Sequence, residues 1–211
     1  QTMKPQAARR GFTLVEILVV LLVLTVLGAL AASALLAVRQ AADRCSCANN
    51  VRQLIIAVDS RRCQTGVYPL VGGATYEDWS LSVLTAVEQG NILEQFDRQL
   101  PPGDDANLAA ARIRPALLTC PSRRELPLFE TWIPSAHYGM NGELAGETAC
   151  DTGTASTVLI SEAPMEPAFA WVVGPGISTG ELGSIHHGVN VIGYVDGHVE
   201  FRALPRLQST E

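Results

Sequence analysis

The 211-residue sequence has little charge, few aromatic residues and, over one long stretch, no proline at all. Charged residues make up 17% of it and aromatics 6%. Between Pro5 and Pro69 no ring removes a backbone N–H or clashes with a preceding helical turn, so nothing in that interval forces a helix to break. Walker A, G-x-G-x-x-G and H-E-x-x-H patterns are also missing, and with them the usual starting points for nucleotide binding and zinc proteolysis. Basic charge is scarce where a nucleic acid would need it. Residues 39 to 211 hold 12 basic and 20 acidic side chains, a formal charge of −8, which repels phosphate backbones and anionic lipid. Nucleic-acid binding through a basic face is therefore not expected, whereas cation binding stays open.

What the sequence does have is one concentrated apolar run. Phe12 to Val38 spans 27 residues, 22 of them apolar, with Glu16 its single charge. Without it, the remaining 184 residues are about 42% apolar, which is ordinary for a water-soluble domain. The mean hydropathy of +0.19 therefore belongs to one segment. About 20 apolar residues cross a bilayer as a helix, so this run is long enough with some tilt. A cleaved export signal is the competing reading. Its small-residue sites exist here as Ala29-Leu30-Ala31 and Ala32-Ser33-Ala34, and Arg9-Arg10-Gly11-Phe12 resembles a twin-arginine signal. Glu16 argues against both, because an export signal has no use for an intramembrane carboxylate, and such charges usually mark function.

The stretch Gly11-Phe12-Thr13-Leu14-Val15-Glu16, after a short basic leader and before the unbroken apolar run, resembles the processing site of type IV prepilins. That resemblance implies that a prepilin peptidase cuts after Gly11 on the cytoplasmic side and methylates the new amine of Phe12. It also implies that Glu16, the fifth residue after the cut, pairs with the Phe12 amine of a neighbouring subunit. Low dielectric would strengthen that pairing, and a negative charge one turn into a helix is favoured by the macrodipole. Lys4, Arg9 and Arg10 favour a cytoplasmic N-terminus, although Arg39, Arg44 and Arg52 beyond the run weaken the asymmetry.

The helix is expected to continue past the membrane. Apolar residues recur at 38, 41, 45, 48, 51, 54, 55 and 58, the three-and-four spacing of an amphipathic helix. One helix from Phe12 to about Arg62 would be roughly 75 Å long and would stop before Gly66. Its outer half is predicted to bury Ala41, Val51, Leu54, Ile55 and Val58 while Asp43, Arg44, Arg52 and Asp59 stay wet. The segments are then a leader over 1–11, a membrane and filament-core helix over 12–38, its amphipathic continuation over 39–65 and a globular region over 66–211.

Beyond Gly66, glycine and proline punctuate short apolar runs. Helices are predicted over Ser80–Gln95 and Ala106–Leu118, and strands over Thr157–Ser161, Phe169–Val173, Val189–Val195 and His198–Leu204. Asp196-Gly197 reads as a two-residue hairpin turn joining the last two. In the last strand, Val199, Phe201 and Ala203 alternate with polar residues and are predicted to face the core. The fold class is α+β and pilin-like, a long N-terminal helix packed on a small antiparallel sheet.

Cys47-Ala48-Asn49-Asn50-Val51-Arg52-Gln53-Leu54, Trp79 to Gln89, Cys120-Pro121-Ser122, Thr157 to Glu162 and His186 followed nine residues later by Asp196-Gly197 narrow the resemblance. Together they look like the bacterial prepilin-type proteins that carry a domain of unknown function ending in a His-x9-Asp-Gly motif. The resemblance implies a Cys47–Cys120 disulfide tying helix to globular domain. Cys63 with Cys150 is a further candidate pair, and with Cys45 an odd thiol must remain. Five cysteines beyond the apolar run suit an oxidising, extracytoplasmic compartment. Cys45-x-Cys47 lacks the two to four intervening residues usual in zinc sites.

His186, His187, Asp196 and His198 form the densest group of metal-capable residues. One reading is a divalent-metal or ligand site at His186, Asp196 and His198. The other has the Asp196 carboxylate bonding its own turn, with no cofactor. Asp104, Asp105 and Asp151 offer oxygen ligands for calcium without EF-hand spacing. Gly176-Ile177-Ser178-Thr179-Gly180 matches the hydrolase nucleophile elbow, but no helix pattern follows it, so it reads as a glycine-rich loop. No catalytic residue is expected. The expected function is a structural subunit of a type IV pilus or type II secretion-like filament. Its partners would be other pilin-like subunits, a prepilin peptidase and inner-membrane lipid. The alternative is an anchored extracytoplasmic domain that binds a ligand or metal without polymerising.

Overall fold

The computed structural model describes residues 13–72, 76–123, 136–148, 155–163, 176–177, 186 and 188–203. The chain divides into two compact units, Gln1–Ala41 and Ala42–Glu211, and the boundary falls within one continuous helix, α1 (Leu14–Thr65).

In the first unit α1 opens with a reciprocal cap. The Thr13 N–H donates to Glu16 Oε2 at 2.7 Å, and the Glu16 N–H donates to Thr13 Oγ1 at 3.3 Å. Two otherwise orphaned helical donors are thereby satisfied. From Leu14 to Val38 every Leu, Ile and Val is at least 47% exposed. This helix is long and apolar enough to cross a membrane.

In the second unit the same helix carries a buried stripe of Cys47, Val51, Leu54, Ile55, Ala57 and Val58. Ala41, predicted to belong to that stripe, is exposed. The helix ends where Gly66 adopts φ 82° and its N–H donates to the Arg62 carbonyl at 2.7 Å, a left-handed stop that a residue with a Cβ resists.

The sheet has the order β3-β1-β2-β4-β5, from β1 (Tyr138–Asn141), β2 (Val158–Glu162), β3 (Gly176–Ile177), β4 (Val189–Tyr194) and β5 (Val199–Ala203). β3 runs parallel to β1, and the other neighbours are antiparallel. β1 and β2 are buried along their whole length. One core joins Val51, Leu54, Ile55 and Val58 of α1 with Trp79, Leu84, Tyr138, Met140, Ile160 and Val191. Full burial of a large apolar side chain stabilises by about 1.5–3 kcal/mol, so this stripe is what fixes the helix on the sheet.

Four expectations change. The helix predicted over Ser80–Gln95 is two short ones, α2 (Trp79–Ser82) and α3 (Gly90–Leu93), parted by a 3₁₀ turn and by Glu88 at φ 59°. Over Ala106–Leu118 only α4 (Leu108–Ala111) is α-helical, flanked by 3₁₀ turns, because Pro115 cannot continue it. The hairpin connection is longer than two residues. Gly197 alone has a positive φ, and its N–H donates to the Tyr194 carbonyl at 2.9 Å, so β4 ends before Val195. Finally, β5 buries its apolar face only in part: Val199 packs against the core, while Phe201 is 50% exposed. An edge strand has a neighbour on one side only, and β5 is held by polar contacts as well. Glu200 accepts from the Tyr194 hydroxyl, and the Arg202 guanidinium reaches both groups. The strand predicted at Phe169–Val173 lies outside the described residues.

Candidate functional site

Two places carry the chemistry, one in each unit. In the first, Gly11 and Phe12 of the processing site lie outside the described residues. Glu16 is exposed, and its carboxylate accepts from both the N–H and the hydroxyl of Thr13, the latter at 2.8 Å. Sequence reasoning missed this cap, although Thr13-x-x-Glu16 before an apolar run is its usual signature.

In the second, the chain closes the Cys47–Cys120 disulfide with Cα atoms 5.5 Å apart and a sequence separation of 73. Both cysteines are fully buried. Cys47 stands on the buried stripe of α1, and Cys120 follows the 3₁₀ turn Ala116–Leu118. Cys45 and Cys63 are exposed thiols, and Cys150 lies outside the described residues.

Against the disulfide lies a buried histidine–carboxylate contact that the sequence did not announce. His186 Nε2 is 2.9 Å from Glu162 Oε1, and both residues are buried. The same Nε2 is 3.5 Å from Cys120 Sγ, and Glu162 Oε1 is 3.9 Å from that sulfur. The second carboxylate oxygen accepts from the Val191 N–H at 3.4 Å. Strand geometry puts Glu162 there, as the last residue of β2, while His186 bridges to Val189 at the start of β4. A charge closing an apolar strand was the available signal, since a buried carboxylate needs a partner.

A further layer surrounds Cys120. Its N–H donates to His137 Nδ1 at 2.8 Å, and Arg114 Nη1 lies 3.0 Å from His137 Nε2. Burial, then the positive charges of Arg114 and Arg123, push His137 down to about 3, so its ring is neutral. Asn50 of α1 donates to the Thr119 carbonyl at 3.0 Å and to the Tyr138 hydroxyl at 3.3 Å. Burial pushes Tyr138 well above the ordinary phenol range.

The structure separates the residues grouped by sequence. Among the described residues the convergent metal-capable group is Cys47, Cys120, Glu162 and His186, without Asp196 or His198. Those two sit at the hairpin tip. Asp196 Oδ1 accepts the His198 N–H at 3.1 Å and lies 2.5 Å from His198 Nδ1, contacts that hold the Asp196 carboxyl below its usual range. The His198 ring stacks on Tyr194 at 4.1 Å. Asp104 caps the turn at Asp105–Asn107, while Asp151, His187 and Ser178 lie outside the described residues.

An apolar N-terminal helix with a Thr13–Glu16 cap, followed by a disulfide-tied α+β unit, defines a type IV pilin-like protein. Residues 6–32 match the prokaryotic N-terminal methylation motif. Residues 36–165 match the family described as "Protein of unknown function (DUF1559)", and the chain belongs to that family. No curated protein and no solved structure matches it. The methylation motif marks a precursor handled by a prepilin peptidase and assembled with other pilin subunits.

Proposed function

We propose that this chain is a structural, non-enzymatic subunit of a type IV pilus or type II secretion-like filament. It is cut between Gly11 and Phe12 and polymerises through its N-terminal helix. What supports this reading is the methylation motif over residues 6–32 running into a helix whose apolar side chains have no cover in the isolated chain. Exposed apolar surface of that extent needs lipid or other helices around it. Before assembly the helix spans the inner membrane once, with residues 1–11 in the cytoplasm. The globular region is periplasmic, or on the cell surface once the filament has grown.

Glu16 has two roles in sequence. In the single chain its carboxylate caps its own helix through Thr13. In the filament it turns toward the Phe12 amine of a neighbour, an opposite charge that outbids a neutral donor in low dielectric. Mass spectrometry of the chain from its native membrane tests the processing step. An N-methylated Phe12 start is expected, and a start near Ser33 or Leu35 would show an export signal instead.

A further inference from the structure

The geometry points to a redox-masked metal site. With the Cys47–Cys120 disulfide reduced, Cys47 Sγ, Cys120 Sγ, Glu162 Oε1 and His186 Nε2 bind one zinc-class divalent cation in the core.

All four ligand atoms lie within 4.8 Å of one another, and all four residues are buried. Two sulfurs, one imidazole nitrogen and one carboxylate oxygen make a closed four-coordinate set of the kind zinc takes in structural sites. With bonds of about 2.0–2.3 Å, the edges of such a tetrahedron are roughly 3.3–3.8 Å. The edges of 3.5 Å and 3.9 Å from Cys120 Sγ are close to that, the 2.9 Å edge between His186 and Glu162 is somewhat shorter, and the sulfur pair is drawn in by its covalent bond. Closing a loop does not require an imidazole and a carboxylate buried beside the sulfurs, and burying polar side chains is costly unless they are partnered. A metal state gives the pair a use. Two thiolates and one carboxylate outweigh the dication by one negative charge, and His186 binds as the neutral ring. The Val191 N–H on the second Glu162 oxygen is the outer contact that orients a ligating carboxylate.

The chemistry balances. Thiol–disulfide exchange with an external dithiol breaks the Cys47–Cys120 bond, gives two thiols and leaves the dithiol as its own disulfide. Binding the dication then releases two protons, one from each thiol. Disulfide and metal are mutually exclusive, so the site reports the redox state of its surroundings.

The test uses the full chain in detergent micelles with Cys45, Cys63 and Cys150 changed to serine. A phosphine reduces the disulfide, water supplying the oxygen that ends on phosphorus, and cobalt(II) is the probe. The oxidised chain should show no thiolate-to-cobalt charge-transfer band. The reduced chain should take up one cobalt, with that band and tetrahedral visible bands, and zinc should displace it. Glu162→Ala and His186→Ala should each weaken cobalt binding about ten-fold or more. The proposal is overturned if the reduced chain gives no band, or if the band survives in Cys47→Ser/Cys120→Ser. It is equally overturned if Glu162→Ala and His186→Ala leave affinity unchanged. Loss of the far-ultraviolet dichroism on reduction that neither metal restores overturns it too. No readout needs a filament, so its failure is distinct from a failure to assemble.

Discussion

Gly193 of β4 lies so close to Ile55 of α1 that a Cβ added to it would stand 2.5 Å from Ile55 Cδ1 and 2.6 Å from Val51 Cγ1. The helix stripe therefore packs directly on strand backbone. Gly193→Ala is expected to destabilise the domain by about 1–3 kcal/mol, the usual range for overpacking a filled core. Combining it with Ile55→Val should recover part of the loss, because the nearest clashing atom is the Ile55 terminal methyl. Denaturant melts of the single and double variants check this.

The disulfide should matter more than any single apolar contact near it. Cys47→Ser/Cys120→Ser removes a cross-link over 73 residues, for which chain-entropy arithmetic gives about 4 kcal/mol. The measurement is the denaturant midpoint of the oxidised chain against the double variant, with a loss under about 1 kcal/mol counting against the estimate. Changing Cys45 or Cys63, both exposed, should leave the midpoint in place.

His137 gives the fold an acid-sensitive slope. Its folded pKa of about 3 lies below the ordinary 6.5, so the unfolded chain binds the extra proton between those values. Stability from this group is complete above about pH 6.5 and is lost as pH falls toward 3, by at most about 1.4 kcal/mol per pH unit. His137→Asn keeps an acceptor for the Cys120 N–H and removes the titration. Its stability should fall less steeply between pH 6 and 4 than that of the wild type.

Cap and charge at Glu16 can be separated. Glu16→Gln keeps a side-chain acceptor for Thr13 but no charge, whereas Thr13→Val keeps the charge and loses the hydroxyl, a change worth about 1 kcal/mol of helix end. If assembly rests on the charge, Glu16→Gln and Glu16→Ala are both missing from sheared filaments while Thr13→Val is present. Equal incorporation of Glu16→Gln would assign the residue to capping alone.

The α1 helix was legible because its signals are local and repeated: no proline, three-and-four spacing, and a glycine stop within a few residues of the observed end. β2, β4 and β5 were legible from apolar runs and from Asp196-Gly197. β1 was not, since Tyr138-Gly139-Met140-Asn141 is too short to show a period and is buried throughout. The breaks at Glu88 and Pro115 were misread because apolar spacing continues across them. The sequence grouped His186 with Asp196 and His198, and the fold sets other side chains against it. Sequence proximity offered Asp196 and His198, while strand pairing supplied Glu162 from 24 residues away and Cys120 from 66.

The Cys47–Cys120 bond also decides which parts of the chain can feel a load. Pulling on α1 at one end and on residues beyond Cys120 at the other transmits tension through the sulfur bridge. The chain between the two cysteines stays slack. About 73 residues, or roughly 250 Å of contour, are kept from unspooling while the bridge is intact. A reduced subunit can therefore lengthen under load by that much more than an oxidised one.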